Sequence, residues 1–161
     1  MRLDISMERR FPVDVERVWH ALTTATMISR WLMRTEGYEA RIGTRFTLRD
    51  EPRPGFRGYV ECEVLELSPP RRMVWSWSST DHGAPTRLVI ELEADGDATR
   101  LTLRHTGDVD ERTLKGTTEG WPLKLGVLAE TLGAAAHSGT GEDSTRDQPL
   151  GAPSEVRPID L

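Results

Sequence analysis

The segment from Phe11 to Leu32, FPVDVERVWHALTTATMISRWL, constrains the fold more than any other part of this chain. Val15, Val18, Trp19 and Leu22 fall at i, i+3, i+4 and i+7, the one-sided apolar spacing of a 3.6-residue helix. Asp14 stands where a carboxylate caps the first free N–H groups, and Glu16 adds negative charge to the same electropositive helix end. Thr24 is placed to cap a second short helix that turns Met27, Ile28, Trp31 and Leu32 inward. Ahead of the pair, Leu3, Ile5 and Met7 alternate with polar residues, the period of a half-buried strand. A strand, a short helix pair and then a run of strands is an unusual order. It points to a curved sheet wrapped around a further element.

The run of strands is legible in its alternation. Tyr38 to Ile42 and Arg45 to Leu48 flank Gly43-Thr44, which reads as a hairpin turn. Val60, Cys62 and Val64 face one way and Glu61 and Glu63 the other; Leu65 and Leu67 then take over the apolar positions, a one-residue slip that predicts a bulge. Pro69-Pro70 turns the chain, and Met73, Trp75 and Trp77 share one face of the next strand. Leu88, Ile90 and Leu92 follow, then the hairpin signal Asp95-Gly96, then Thr99, Leu101, Leu103 and His105 on a common face. Trp121, Leu125, Leu128 and Leu132 return to a helical period. Pro122 suits a first helical position, so a main helix over 119–136 after a short irregular lead-in is expected; a helix starting near Glu111 and broken around Gly120-Trp-Pro is the alternative.

From Ser138 onward the chain is rich in Gly, Ser, Pro and Asp and carries no apolar period, so it buries too little to offset its ordering entropy. One domain over 1–137 and a disordered tail over 138–161 are expected. At 37% hydrophobic and 29% charged residues the composition is that of a soluble globular protein. No apolar run reaches the roughly 20 residues that span a bilayer, so no membrane partner is expected. The start Met1-Arg-Leu-Asp-Ile has no signal-peptide core, and Cys62 is the single cysteine, so a cytoplasmic location is expected. A net charge of -5 without a basic stripe argues against nucleic acid as a partner. Only Lys115 and Lys124 among the 21 basic residues are lysines; the arginines are scattered, which reads as compositional bias rather than an anion site.

Four pieces in this order resemble a known family. They are Val18-Trp-His-Ala-Leu with Arg30-Trp-Leu, Gly58-Tyr-Val-Glu-Cys-Glu-Val-Leu-Glu-Leu-Ser-Pro-Pro-Arg-Arg-Met-Val-Trp, Thr99-Arg-Leu-Thr-Leu-Arg-His-Thr-Gly, and Gly120-Trp with the leucine stripe. The chain is similar over residues 2–136 to the START-like (SRPBCC) superfamily, in the branch named after the C-terminal domain of the activator of Hsp90 ATPase. The resemblance implies an α+β helix-grip fold, a curved antiparallel sheet wrapped around a long C-terminal helix. It also implies a cavity between the two, which the superfamily uses for lipids, hormones, polyketides or aromatic substrates. It supplies no shared catalytic set. The eponymous activator has a further N-terminal domain that makes most of its chaperone contact, so chaperone contact is not expected here.

The candidate residues follow from the faces. His105 ends its strand beside Leu101 and Leu103; it either presents a polar group to a cavity, as ligand contact or general base, or fixes the turn into the helix by hydrogen bonds. Trp31, Trp75, Trp77 and Trp121 come from three elements that the fold brings around one space, as pocket walls or as core; Trp19 reads as core. With Phe46 and Leu125 they complete the expected ligand-binding set of Trp31, Phe46, Trp75, Trp77, His105, Trp121 and Leu125. Asp81 and His82 could join His105 as an acid–base group or Asp108 and Asp110 as a metal site, but neither spacing matches a ligand pattern and a solvated loop is expected. Cys62 reads as a small buried apolar residue. No cofactor or metal is expected. The reading is therefore a binding protein for a small apolar or aromatic ligand. The alternatives are a cyclase- or hydrolase-like enzyme with His105 as base and Asp81 as acid, and an interaction module, either chaperone-associated or forming a homodimer.

Overall fold

The structure, a computed structural model, describes residues 1–140, with side chains to residue 133. The tail expected from residue 138 lies, past Thr140, outside the described residues. The elements run β1 (Arg2–Phe11), α1 (Val15–Leu22), α2 (Ala25–Trp31), β2 (Arg34–Glu36), β3 (Arg45–Arg49), β4 (Tyr59–Ser68), β5 (Arg72–Ser78), β6 (Thr86–Asp95), β7 (Ala98–Asp108) and α3 (Glu111–Thr140). The strands form one seven-stranded sheet in the order β1-β7-β6-β5-β4-β3-β2, with every pair antiparallel. The helix pair carries the chain from one edge of this sheet, β1, to the other, β2. This is the α+β helix-grip architecture.

The core lies between the inner face of the sheet and α3. Val60, Cys62 and Val64 of β4, Leu88, Ile90 and Leu92 of β6, and Leu101 and Leu103 of β7 are buried in one cluster with Trp121, Leu125, Leu128 and Leu132 of α3. The α1–α2 corner joins it through Val18, Leu22, Ile28 and Trp31. Asp14 caps α1, its Oδ1 accepting from the Arg17 N–H at 3.0 Å. Thr24 occupies the N-cap position of α2 but makes no side-chain cap bond. The Trp31 indole N–H donates to the Ala21 carbonyl at 2.9 Å, locking the two helices together, and Trp31 is 1% exposed. Trp31 is thus the structural plug of this segment, whereas Trp19 is only half-buried.

Two local expectations differ from the structure. Tyr38 to Ile42 is not a strand: β2 covers Arg34–Glu36, and Thr35 pairs with Leu48. Gly37 (φ 81°) and Gly43 (φ 91°) break the intervening segment into a loop. Tyr38 folds inward from that loop and meets Phe46 edge-on at 5.0 Å. The second difference is α3, which starts at Glu111 with Asp110 accepting from the Thr113 N–H at 2.8 Å. It runs on through Pro122. The proline is on the exposed face, so the Thr118 carbonyl that loses its helical donor is open to water. The predicted bulge is present, the β4–β5 register shifting between Val64 and Glu66.

The outer face of the sheet is polar and threaded with ion pairs. Glu66 pairs with both Arg72 and Arg87 at 3.0 Å, and Arg72 with Glu91 at 2.6 Å. The Arg72 guanidinium holds the Glu66 carboxyl below its usual range. These groups are largely solvated, so each pair adds little stability; the apolar core carries the fold. Leu128→Ala, at a fully buried position of α3, should cost about 2–5 kcal/mol in urea unfolding. Leu123→Ala, on the same helix at 71% exposure, should change it by less than about 0.5 kcal/mol.

Candidate functional site

The two halves of α3 present different faces to the sheet. From Trp121 onward the inward stripe is Trp, Leu, Leu, Leu and fills the grip. Traced back toward the N-terminus, helical spacing takes this stripe to Thr117, Leu114 and Thr113, and the flank beside it, which lines a cleft, carries Gly116 and Gly120. Side chains this small do not reach the sheet, and a Cβ built at Gly116 or Gly120 meets nothing within 4 Å. The result is a cleft of about 120 Å³ between this half-helix, Trp77, Val60 and the Leu32–Met33 corner.

A flap closes the cleft from the side. Between β3 and β4 the chain loops out through residues 51–57, its neck held by the Asp50 N–H donating to the Gly58 carbonyl at 2.9 Å. Arg53 and Phe56 exchange backbone hydrogen bonds at 3.0 and 2.8 Å across its tip. Gly58 is required at the neck: at φ +100° a Cβ would lie 2.9 Å from Pro52 Cγ. The flap meets α3 where Asp50 pairs with Lys124 at 3.7 Å.

His105 stands behind the cleft, 0% exposed. Its Nδ1 accepts from the Trp121 indole N–H at 3.0 Å. Its Nε2 lies 2.7 Å from Thr86 Oγ1, which is also 3.0 Å from the Trp77 carbonyl. A carbonyl only accepts, so the Thr86 hydroxyl donates to Trp77 and accepts from His105. The partners therefore assign the neutral Nε2–H tautomer. Gly107 makes room for this arrangement, since a Cβ there would sit 2.6 Å from Thr86 Cγ2. The chain of bonds from Trp121 through His105 and Thr86 to Trp77 ties α3 to β5, β6 and β7. Burial lowers the His105 pKa from 6.5 to about 4. Protonation at Nδ1 would also set a second donor against the Trp121 N–H.

The sequence-predicted residues divide accordingly. Trp77 and Trp121 line the cleft, with ring centroids 5.4 Å apart and planes at 49°. His105 packs edge-on against Trp77 at 5.3 Å. Trp31, Phe46, Trp75 and Leu125 lie in the packed core instead, and do not line this cleft. Phe46 meets Trp75 edge-on at 4.8 Å. Beside them burial pushes the Tyr38 phenol up to about 12. Cys62 is buried, and burial raises its thiol pKa, so it carries no thiolate at neutral pH.

Asp81 is held elsewhere. It pairs with Arg57, whose guanidinium stacks 4.0 Å over the Tyr59 ring and donates to the Ser78 carbonyl at 2.9 Å. Neither Asp81 nor His105 is among the other's hydrogen-bond partners. His82, Asp108 and Asp110 do share a second cleft, of about 320 Å³, on the far side of Trp77 and Thr113. Among the described residues no group of three or more His, Cys, Asp or Glu side chains is placed to hold a metal ion. Also among the described residues, no helix is long and apolar enough to cross a membrane.

The cleft residues that the apolar pattern passes over are Gly116, Thr117 and Gly120. Their signal is a flank of small residues beside the backward extension of the leucine stripe. The flap and Thr86 leave no such periodic signal.

The His105 environment sets a pH dependence. The folded pKa lies below the unfolded one, so the unfolded state binds the proton first as pH falls. Stability is full above about pH 6.5, declines toward pH 4 and levels off below it, a loss on the order of 2–4 kcal/mol. Urea titrations at pH 7 and pH 4.5 should show this decline in the native protein and a smaller one in His105→Gln. Equal declines would contradict the assignment.

The comparisons agree with this geometry. Residues 12–133 match the family described as Activator of Hsp90 ATPase homolog 1-like protein. Protein MLL2253 from Mesorhizobium loti is similar with a TM-score of 0.72 and 23% identity, over 81% of this chain and 97% of that one. CalU16 from Micromonospora echinospora is similar with a TM-score of 0.67 and 26% identity, over 84% of this chain and 79% of that one. The Aha1 dimer from Colwellia psychrerythraea has a TM-score of 0.70 and 18% identity, over 81% and 96%. No curated protein matches the chain. With the matched segment covering β2 to β7, the helix pair and the side chains of α3 that build the cleft, the chain belongs to the Activator of Hsp90 ATPase homolog 1-like family.

Proposed function

We propose that this protein binds a small apolar or aromatic molecule in the cleft between α3 and the sheet. The observation that carries the reading is the pair of tilted indoles, Trp77 and Trp121, lining one cleft with the glycines and threonines of α3. Two aromatic rings beside helix positions without side-chain bulk leave a slot suited to a flat ring. At about 120 Å³ the slot approaches the cavity of roughly 150 Å³ that holds a benzene ring. Typical ligand pockets exceed roughly 300 Å³, so larger molecules require the 51–57 flap to lift from α3.

Binding is favoured over proton transfer by the state of His105. Both ring nitrogens are already committed, to Trp121 and Thr86. Its role in this reading is positioning: it holds the Trp121 ring at a defined tilt to Trp77. The candidate acid, Asp81, is engaged by Arg57.

The test fills the slot from the helix side. Gly116→Leu places a side chain where a Cβ meets nothing within 4 Å. It also replaces a helix glycine, which should raise stability by about 0.8–1 kcal/mol. With phenylethanol as probe, the native protein should gain thermal stability and Gly116→Leu, though intrinsically more stable, should gain none. A full ligand-induced shift in the variant would contradict the proposal.

A further inference from the structure

The charges around the cleft do not follow those of the whole chain. The protein carries a net charge of -5, yet the ionisable side chains lining the cleft are Arg53, Arg112 and Lys124, with no carboxylate among them. The second cleft, beyond Trp77 and Thr113, has the opposite lining, with Asp108 and Asp110. The two mouths thus differ in the sign of charge they offer. An anionic group is drawn to the first and repelled from the second.

The three cations are not equivalent. Lys124 and Arg53 share the single carboxylate Asp50, at 3.7 and 4.0 Å, and the Arg53 guanidinium also lies 4.7 Å over the Phe56 ring. Arg112 makes no ion pair among the described residues. The Asp110 carboxyl is held below its usual range chiefly by the Thr113 N–H that it accepts as the cap of α3, with a smaller contribution from the Arg112 charge. The flap cradles the Arg112 stem. A Cβ at Gly55 would meet the Arg112 Cβ at 3.3 Å and its Cδ at 3.6 Å, so the glycine at φ +85° leaves the stem a groove across the flap. An otherwise mobile side chain is thereby laid along the cleft rim with its five donors uncommitted.

Resting on the binding reading above, we infer that the ligand carries an anionic group, a carboxylate in the simplest case, and that Arg112 is its principal contact with Lys124 in support. The ring enters the cleft beside Trp77 and Trp121 and the anion remains at the rim, where Arg53, Arg112 and Lys124 stand. A guanidinium matches a carboxylate through two parallel N–H···O bonds, which a neutral hydroxyl cannot reproduce and an ammonium opposes.

Calorimetric titration of the full chain with phenylacetate, phenylethanol and phenethylamine separates the two claims. These probes share a ring and a short chain and differ in the charge of the head group. Phenylacetate should bind about tenfold more tightly than phenylethanol, and phenethylamine most weakly. Arg112→Met should bring phenylacetate down to the level of phenylethanol while leaving phenylethanol unchanged, and Lys124→Met should do so in part. Added salt should weaken phenylacetate alone. If all three bind equally and Gly116→Leu abolishes them, the cleft reading stands and the anion inference is overturned. If Gly116→Leu leaves binding intact, or no probe binds, the cleft reading fails and the anion inference with it.

Discussion

A neutral, fully buried histidine holds the first half of α3 to the sheet, and the candidate site depends on that contact. Farther along the helix, apolar packing alone presses α3 onto the strands. At Trp121 the leucine stripe ends, and directional bonds take over: indole to imidazole, imidazole to hydroxyl, hydroxyl to main-chain carbonyl. Such a chain stabilises little in net terms while all its members are paired, but leaving one buried group unpaired costs about 1–3 kcal/mol. It therefore specifies geometry more than it adds stability. The geometry it specifies is the tilt of Trp121 against Trp77, one wall of the cleft.

The room beside that wall comes from what α3 lacks. Gly116, Thr117 and Gly120 line the cleft along one flank of the helix without side-chain bulk. A gap between close-packed elements is unfavourable unless something apolar fills it, since its lining loses dispersion contacts. Placing the gap beside exposed flap residues lets it open to solvent rather than become an internal void. The other end of the grip shows the contrary arrangement. There Trp31 and the α1–α2 corner are packed tight, and the indole N–H is satisfied locally by Ala21.

Much of the fold was legible because it rests on periodicity. The alternation of β4 to β7, the bulge after Val64, the Asp14 cap and the leucine stripe of α3 all follow from burial on one face, which a period of 2 or 3.6 reports directly. The failures share a cause as well. Thr113 to Gly120 carries no apolar period because that face looks onto a cleft, so it read as an irregular lead-in although it is regular helix. Tyr38 to Ile42 has strand-like composition, but the glycines at both ends turn it into a loop. For the site, composition named five tryptophans and could not sort them. Whether an indole is core or wall depends on what stands beside it, and for Trp77 that is a set of glycines and threonines on α3, distant in sequence. The paired bonds of His105 likewise require Thr86 and Trp121, which only the folded sheet brings together.

The central claim is that the cleft lined by Trp77 and Trp121 takes a ring-shaped ligand while the remaining tryptophans serve as structure. Nitrogen-proton correlation spectra test it directly, because each of the five indole N–H groups gives its own signal. Titration with phenylacetate should move the Trp77 and Trp121 signals in a saturable way and leave Trp31 in place, its N–H being bonded to Ala21. Saturable movement of Trp31 with Trp77 and Trp121 unchanged would place any ligand elsewhere and contradict the account.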